Sequence, residues 1–248
     1  VEEVIDFKEK KVNDYKIPLG ENRILSEGEL GKKNITYKIT YENGVEVKRD
    51  LVKEEVINEA SDKVIAEGIF DPTSLTVCVN KLRNLDSDYE PESLVVPNVR
   101  SIVSSSRIMM RQEAATALED LFLGAENDGV YLYAVSGYRS YDYQASIYNP
   151  YSGYSAPPGA SEHQLGLAMD LSTSYYGGEL VTEFGYSVEG QWVKENAHKY
   201  GFIVRYLEGK EDITGYYYEP WHIRYVGVDL ATELYNKGIT LEEYYGEY

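Results

Sequence analysis

The sequence predicts an α+β protein: a small all-β domain over residues 1–70, then a mixed helix and antiparallel-sheet domain over residues 71–248. Three observations carry that prediction. The first 70 residues run in short alternations of Lys, Glu, Val and Ile with no long helical period. At DPTS (71–74) the texture changes, and Asp-Pro marks a turn. Beyond it, helical and strand-like stretches interleave without the strand–helix–strand rhythm of a parallel sheet, which favours α+β.

The elements follow in order. In NITYKITYENGVEVKRDLV two period-2 runs flank Asn43-Gly44, a strong short-range hairpin signal. TVCVNKLRNLDSDYEPESLVVP, with two prolines, reads as extended. SSSRIMMRQEAATALEDLFLGAEND reads as a helix with Met110, Ala114, Ala117, Leu118, Leu121 and Phe122 on one stripe and the serines as N-cap. VYLYAVSG (130–137) alternates like a strand. EGQWVKENAHKYG reads as a second helix stopped by Gly201. FIVRY and YYYEPWHIRYVG read as strands, and Thr240 with Glu243 forms a capping box that opens a short last helix.

Composition narrows the function classes. The net charge of −18 sets up a field that repels nucleic acid and anionic membrane surfaces. No apolar run approaches the roughly 18 residues a membrane span needs. Cys78 is the only cysteine, so an intramolecular disulfide and a thiolate metal site are both excluded. Its apolar setting in LTVCVN predicts an inert buried thiol. Tyrosine is abundant, 25 against 5 Phe, and half-buried strands account for most of it. An opening Val in place of Met is expected of a processed or trimmed fragment whose export signal lies outside it.

The chemistry concentrates in two motifs. SAPPGASEHQLGLAMDLS places His163 seven residues before Asp170, and YYYEPWHIRYVG places Glu219 three before His222. Two imidazoles and a carboxylate suit Zn²⁺ with one position left open for water, and Glu219 is then free to act as base. His163 and Asp170 alone do not distinguish a metal site from structural residues. Pro220 argues against a helix at 219–222, and residues three apart on a regular strand face opposite sides. A local kink is therefore required if Glu219 and His222 are to share a site. SSSR (104–107) has no SxxK, which disfavours a serine mechanism. Of the remaining candidates, His198 reads as a solvated helix residue and Glu162 as a structural side chain turned away from the metal. Trp192 and Trp221 read as core or pocket-wall residues, and Tyr138 and Tyr141 as packing or peptide contacts.

SGYRSYDYQ (136–144), SEHQLGLAMD (161–170), ENAHKYGFIVRY (195–206) and TGYYYEPWHIRYVG (214–227) together resemble the VanY-type D,D-carboxypeptidases. These are zinc peptidases of a family that also holds D-Ala-D-Ala dipeptidases and L,D-carboxypeptidases. The resemblance covers roughly residues 75 to 248. It implies that His163, Asp170 and His222 hold zinc, that Glu219 is the general base, and that Arg139, Gln144 and Ser161 line the substrate pocket, with Arg139 also stabilising the oxyanion. The implied reaction is removal of the terminal D-alanine from a peptidoglycan stem pentapeptide by zinc-activated water. The short connection from Gln144 to Ser161 and the EPWHIRYVG ending lean toward the D,D type. An L,D-carboxypeptidase acting on tetrapeptides and a catalytically weak wall-binding module are the alternatives.

Ile17-Pro18, SEGELG (26–31), TYKITYENGVEV and VIAEG (64–68) resemble the G5 domain, a small extracellular β module often joined to wall hydrolases. That family is proposed to bind amino sugars of the wall, and a spacer that holds the enzyme away from an anchor fits the same residues. The two resemblances together imply an extracellular or wall-associated protein of a Gram-positive bacterium.

Overall fold

The computed structural model describes residues 1–152 and 154–246, and the chain divides into two compact units, Val1–Asp71 and Pro72–Tyr248. The first holds six strands: β1 (Glu2–Ile5), β2 (Glu9–Pro18), β3 (Asn22–Glu29), β4 (Gly31–Glu42), β5 (Val45–Asn58) and β6 (Ser61–Phe70). They form two three-stranded sheets, ordered β1-β4-β5 and β2-β6-β3. The β4–β5 hairpin turns at Asn43 and Gly44, whose φ of 50° and 82° are both positive, as a type I′ turn requires. Among the described residues, Ile35 and Ala66 are the only fully buried hydrophobics of this unit. Ladder hydrogen bonds therefore hold it more than a packed core does. A Cβ at Gly68 would strike the carbonyl of Pro18, so the Ile17-Pro18 and 64–68 motifs lie directly against each other.

The second unit is mixed. Its strands are β7 (Leu94–Val95), β8 (Met110–Arg111), β9 (Tyr133–Ser136), β10 (Ala168–Ser172), β11 (Phe202–Tyr206) and β12 (Glu219–Tyr225). Its helices are α1 (Gln112–Asn127), α2 (Tyr141–Ile147), α3 (Val188–Asn196), α4 (Glu211–Thr214), α5 (Val228–Lys237) and α6 (Leu241–Tyr244). A four-stranded antiparallel sheet, ordered β11-β12-β10-β9, forms the centre. Helix α5 seats Leu230, Ala231 and Leu234 against Ile203, Val226, Leu241 and Cys78. Burial pushes the Cys78 thiol well above its usual range, which leaves it protonated and inert. Among the described residues, no helix is long and apolar enough to cross a membrane.

Two expectations are corrected here. The serines at 104–107 do not cap α1. Ser105–Arg107 is a separate 3-10 turn, and the helix begins after Arg111 with no side-chain cap. Its buried stripe is Ala114, Ala115, Leu118, Leu121, Phe122 and Ala125, while Met110 sits on β8 before it and Ala117 is half-buried. The stretch from Thr76 to Pro97, read as extended, is mainly turns and loops, with a short strand at its end. Val77, Cys78 and Val79 are nonetheless buried, and the carbonyls of Leu75 and Val77 accept hydrogen bonds from Arg224 Nη2 at 2.9 and 2.8 Å. A buried side chain satisfies acceptors that a sheet would otherwise have paired. The Thr240–Glu243 capping box and the left-handed Gly201 stop are both present.

Candidate metal centre

The sheet register brings the candidate ligands together. Asp170 on β10 lies directly opposite His222 on β12, so their side chains emerge side by side on one face. His163 arrives from a 3-10 turn, Glu162–Leu165, that ends at Gly166 with φ 67°. A side chain at Gly166 would meet Leu94 and Arg111 besides facing a strained φ, so the turn closes there only with glycine. His163 Nε2 stands 3.2 Å from His222 Nδ1 and 3.3 Å from Asp170 Oδ2, and His222 Nδ1 stands 2.9 Å from Asp170 Oδ1. A tetrahedral zinc with bonds of about 2.0–2.1 Å spaces its ligands by about 3.3 Å, so the three side chains fit that ion. His163 Nδ1 lies 2.7 Å from the Gly137 carbonyl. That nitrogen carries the proton and donates it, which leaves Nε2 free to ligate.

Glu219 reaches the same cleft through a break in the ladder. Val204 pairs with Ile223 but Tyr206 pairs with Glu219, so β12 accommodates two extra residues between those rungs. Pro220 lies in this irregular stretch, where its missing N–H breaks no ladder bond. This is the kink that the three-residue spacing requires. Glu219 is buried, and burial pushes its carboxyl up to about 8, with the Asp170 charge adding and the His222 and Arg139 charges opposing.

The neighbouring groups are strongly polarised. Burial works against charge on Asp170, yet His163 and His222 hold its carboxyl far below the usual carboxylate range. Burial and the Arg139 charge lower His163 to about 4. Burial works against charge on His222, yet the neighbouring carboxylates of Asp170 and Glu162 push it up to about 9. Of the two imidazoles, His222 is the one that keeps a proton when no metal is bound.

Arg139, Gln144, Ser161, His163, Asp170, Glu219 and His222 all line one cleft of about 570 Å³. Arg139 Nη1 donates to Ser136 Oγ at 3.1 Å and lies 3.5 Å from Asp170 Oδ2. Its Nε is buried without a partner among the described residues, as is Gln144 Oε1, while Gln144 Nε2 donates to the Ala156 carbonyl at 2.8 Å. Such unspent polar atoms on a cleft wall suit a polar ligand. Trp221 lines the cleft, whereas Trp192, Tyr138 and Tyr141 do not, and Trp192 Nε1 donates to Asp128 at 2.8 Å.

Two side chains depart from expectation. His198 is half-buried and stacks flat on Tyr235, with centroids 3.8 Å apart, rather than standing in solvent. Glu162 does not sit on an extended segment. It is 1% exposed, and its Oε1 accepts hydrogen bonds from Arg205 Nε at 2.8 Å and Arg224 Nη1 at 2.6 Å. Arg205 is held in turn by both oxygens of Glu242 on α6, at 2.8 and 2.6 Å. The sequence reading missed this buried ion cluster. Its only local trace is the pair of arginines in FIVRY and HIRYVG.

Residues 107–228 match the family model VanY, described as D-alanyl-D-alanine carboxypeptidase, and residues 1–69 match the G5 domain. The Bacillus subtilis (strain 168) protein YodJ, a carboxypeptidase by name, is 45% identical over 190 residues, or 72% of this chain and 70% of YodJ. The solved LdcB LD-carboxypeptidase is 40% identical with a TM-score of 0.69, covering 85% of this chain and 94% of LdcB. A variant of the vancomycin-resistance D,D-pentapeptidase VanY, solved with Zn(II), is 32% identical with a TM-score of 0.57, covering 71% of this chain and 99% of that one. With a His/Asp/His set gathered at an antiparallel sheet and relatives of this kind, the chain belongs to the VanY D-alanyl-D-alanine carboxypeptidase family of metallopeptidases and carries a G5 domain ahead of the peptidase.

Proposed function

We propose that the protein is a zinc D,D-carboxypeptidase that removes the terminal D-alanine from peptidoglycan stem pentapeptides. The observation that carries this reading is the convergence of His163 Nε2, Asp170 and His222 Nδ1 at 2.9–3.3 Å in a cleft that Glu219 also lines. Zinc held there by His163, Asp170 and His222 would supply a Lewis acid and acidify a water toward neutral pH. Glu219 takes that water's proton and passes it to the departing D-alanine amine. Glu219 lines the same cleft as the three candidate ligands, within reach of both transfers. Arg139, steadied by Ser136, offers its guanidinium to the peptide's carboxylate or to the oxyanion that develops at the carbonyl. Gln144 and Ser161 complete the polar wall that orients the peptide. The peptidase acts outside the cell at the wall, where the G5 domain holds wall glycan or spaces the enzyme from its anchor.

The LdcB likeness favours a second reading, an L,D-carboxypeptidase that takes D-alanine from tetrapeptides. Initial rates on synthetic pentapeptide and tetrapeptide stems separate the two. The D,D reading expects kcat/KM roughly tenfold or more higher on the pentapeptide. The opposite ratio would move the assignment to the L,D type.

A further inference from the structure

Glu162 and His222 each present an unspent polar atom to the other. Both oxygens of Glu162 are shut off from solvent, but the two arginines use only Oε1. Oε2 has no hydrogen-bond partner among the described residues, and neither has His222 Nε2. These two atoms stand 3.5 Å apart. A buried polar atom left unpaired is costly, so a shift of a few tenths of an ångström that joins them is favoured. With a metal on Nδ1, the neutral His222 imidazole carries its one proton on Nε2, the nitrogen facing Glu162.

We propose that Glu162 is a positioning residue: its Oε2 accepts the His222 Nε2–H and so fixes the ring that offers Nδ1 to the metal. The inference rests on the metal reading above. Glu162 is well held for the task. Arg205 comes from β11 and Arg224 from β12, and Glu242 on α6 fixes Arg205 from the far side. Tyr206 lies against the other side of the His222 ring, with centroids 5.1 Å apart and planes at 30°, which limits rotation. A carboxylate on the outer nitrogen of a ligating histidine sets its tautomer and strengthens it as a ligand.

Zinc affinity measured by competition with a chromophoric chelator tests this on the full chain. In Glu162→Gln the amide oxygen is claimed by the two arginines, which turns the NH₂ group toward the ring N–H. Zinc affinity is expected to fall about 10–100-fold. Glu242→Gln disturbs the same ion cluster without facing His222, and should lower Tm while leaving zinc affinity within about twofold. Equal weakening in both variants, or unchanged affinity in Glu162→Gln, would overturn the assignment. Should Glu162→Gln fail to fold, ¹⁵N–¹H spectra of the zinc-loaded wild type decide. A downfield, slowly exchanging Nε2–H on His222 is expected, and its absence would overturn the proposal. Failure of the wild type itself to bind zinc would instead count against the metal reading.

Discussion

Glu219→Gln is expected to lower kcat by about 10²–10⁴-fold while zinc content stays unchanged. The amide keeps the size of the carboxylate in its buried position but cannot accept a proton from water or return one to the amine. Its place beside the ligands, rather than among them, is what separates the two readouts. His222→Ala is the contrasting case, because it removes a ligand and should lose metal and activity together. Metal analysis paired with turnover on the pentapeptide checks both. A fully active, zinc-loaded Glu219→Gln enzyme would remove Glu219 from the role of base.

The second large effect concerns stability. Arg205 is completely buried between Glu162 and Glu242, and Arg205→Met would leave two buried carboxylates short of a partner. Breaking a buried pair from one side costs about 3–5 kcal/mol. For a unit of this size that corresponds to a fall in Tm of roughly 6–20 °C. The double variant Arg205→Met/Glu242→Gln should lose less than the two single changes added, since one stranded charge is then removed. The pH dependence has a definite sign. Burial raises the carboxyls of Glu162 and Glu242, but the arginine charges hold both below the usual range. A carboxyl lowered by folding contributes stability above its unfolded value, about 4.3, and loses it as the pH falls from there. Calorimetry in chelator should show Tm dropping below about pH 4.5 in the wild type and dropping less steeply in Arg205→Met. Parallel acid profiles would mean that Arg205 does not set these carboxyls.

The candidate ligands were legible because short motifs carry them. His163 and Asp170 lie in one run of ten residues, and Glu219 and His222 in one of four. What brings the two runs together was not legible. Asp170 faces His222 through a strand pairing that spans 52 positions, and alternation within either strand says nothing about that register. The extra residues at Pro220 were foreseeable as a kink, since two side chains three apart had to reach one cleft. Glu162 was read as structural on the premise of an extended segment, but it lies on a 3-10 turn and its ion cluster was not legible. Its partners, Arg205 and Glu242, are distant in sequence, and only their convergence makes its burial tolerable. The all-β front unit was read from its alternation and from Asn43-Gly44, where two positive φ values leave few alternatives to a hairpin. The serines at 104–107 misled because capping preference is local, whereas Met110 and Arg111 are drawn into a two-stranded pairing with Leu94 and Val95.

The central claim is metal-dependent release of one D-alanine. The direct measurement follows a synthetic stem pentapeptide ending in D-Ala-D-Ala by mass spectrometry, with zinc-loaded protein, with chelator, and with zinc restored. Loss of a single D-alanine that chelator stops and zinc recovers is the expected result. Undiminished release in chelator with zinc verified as removed, or no release from either the pentapeptide or the tetrapeptide with zinc verified as bound, would contradict it.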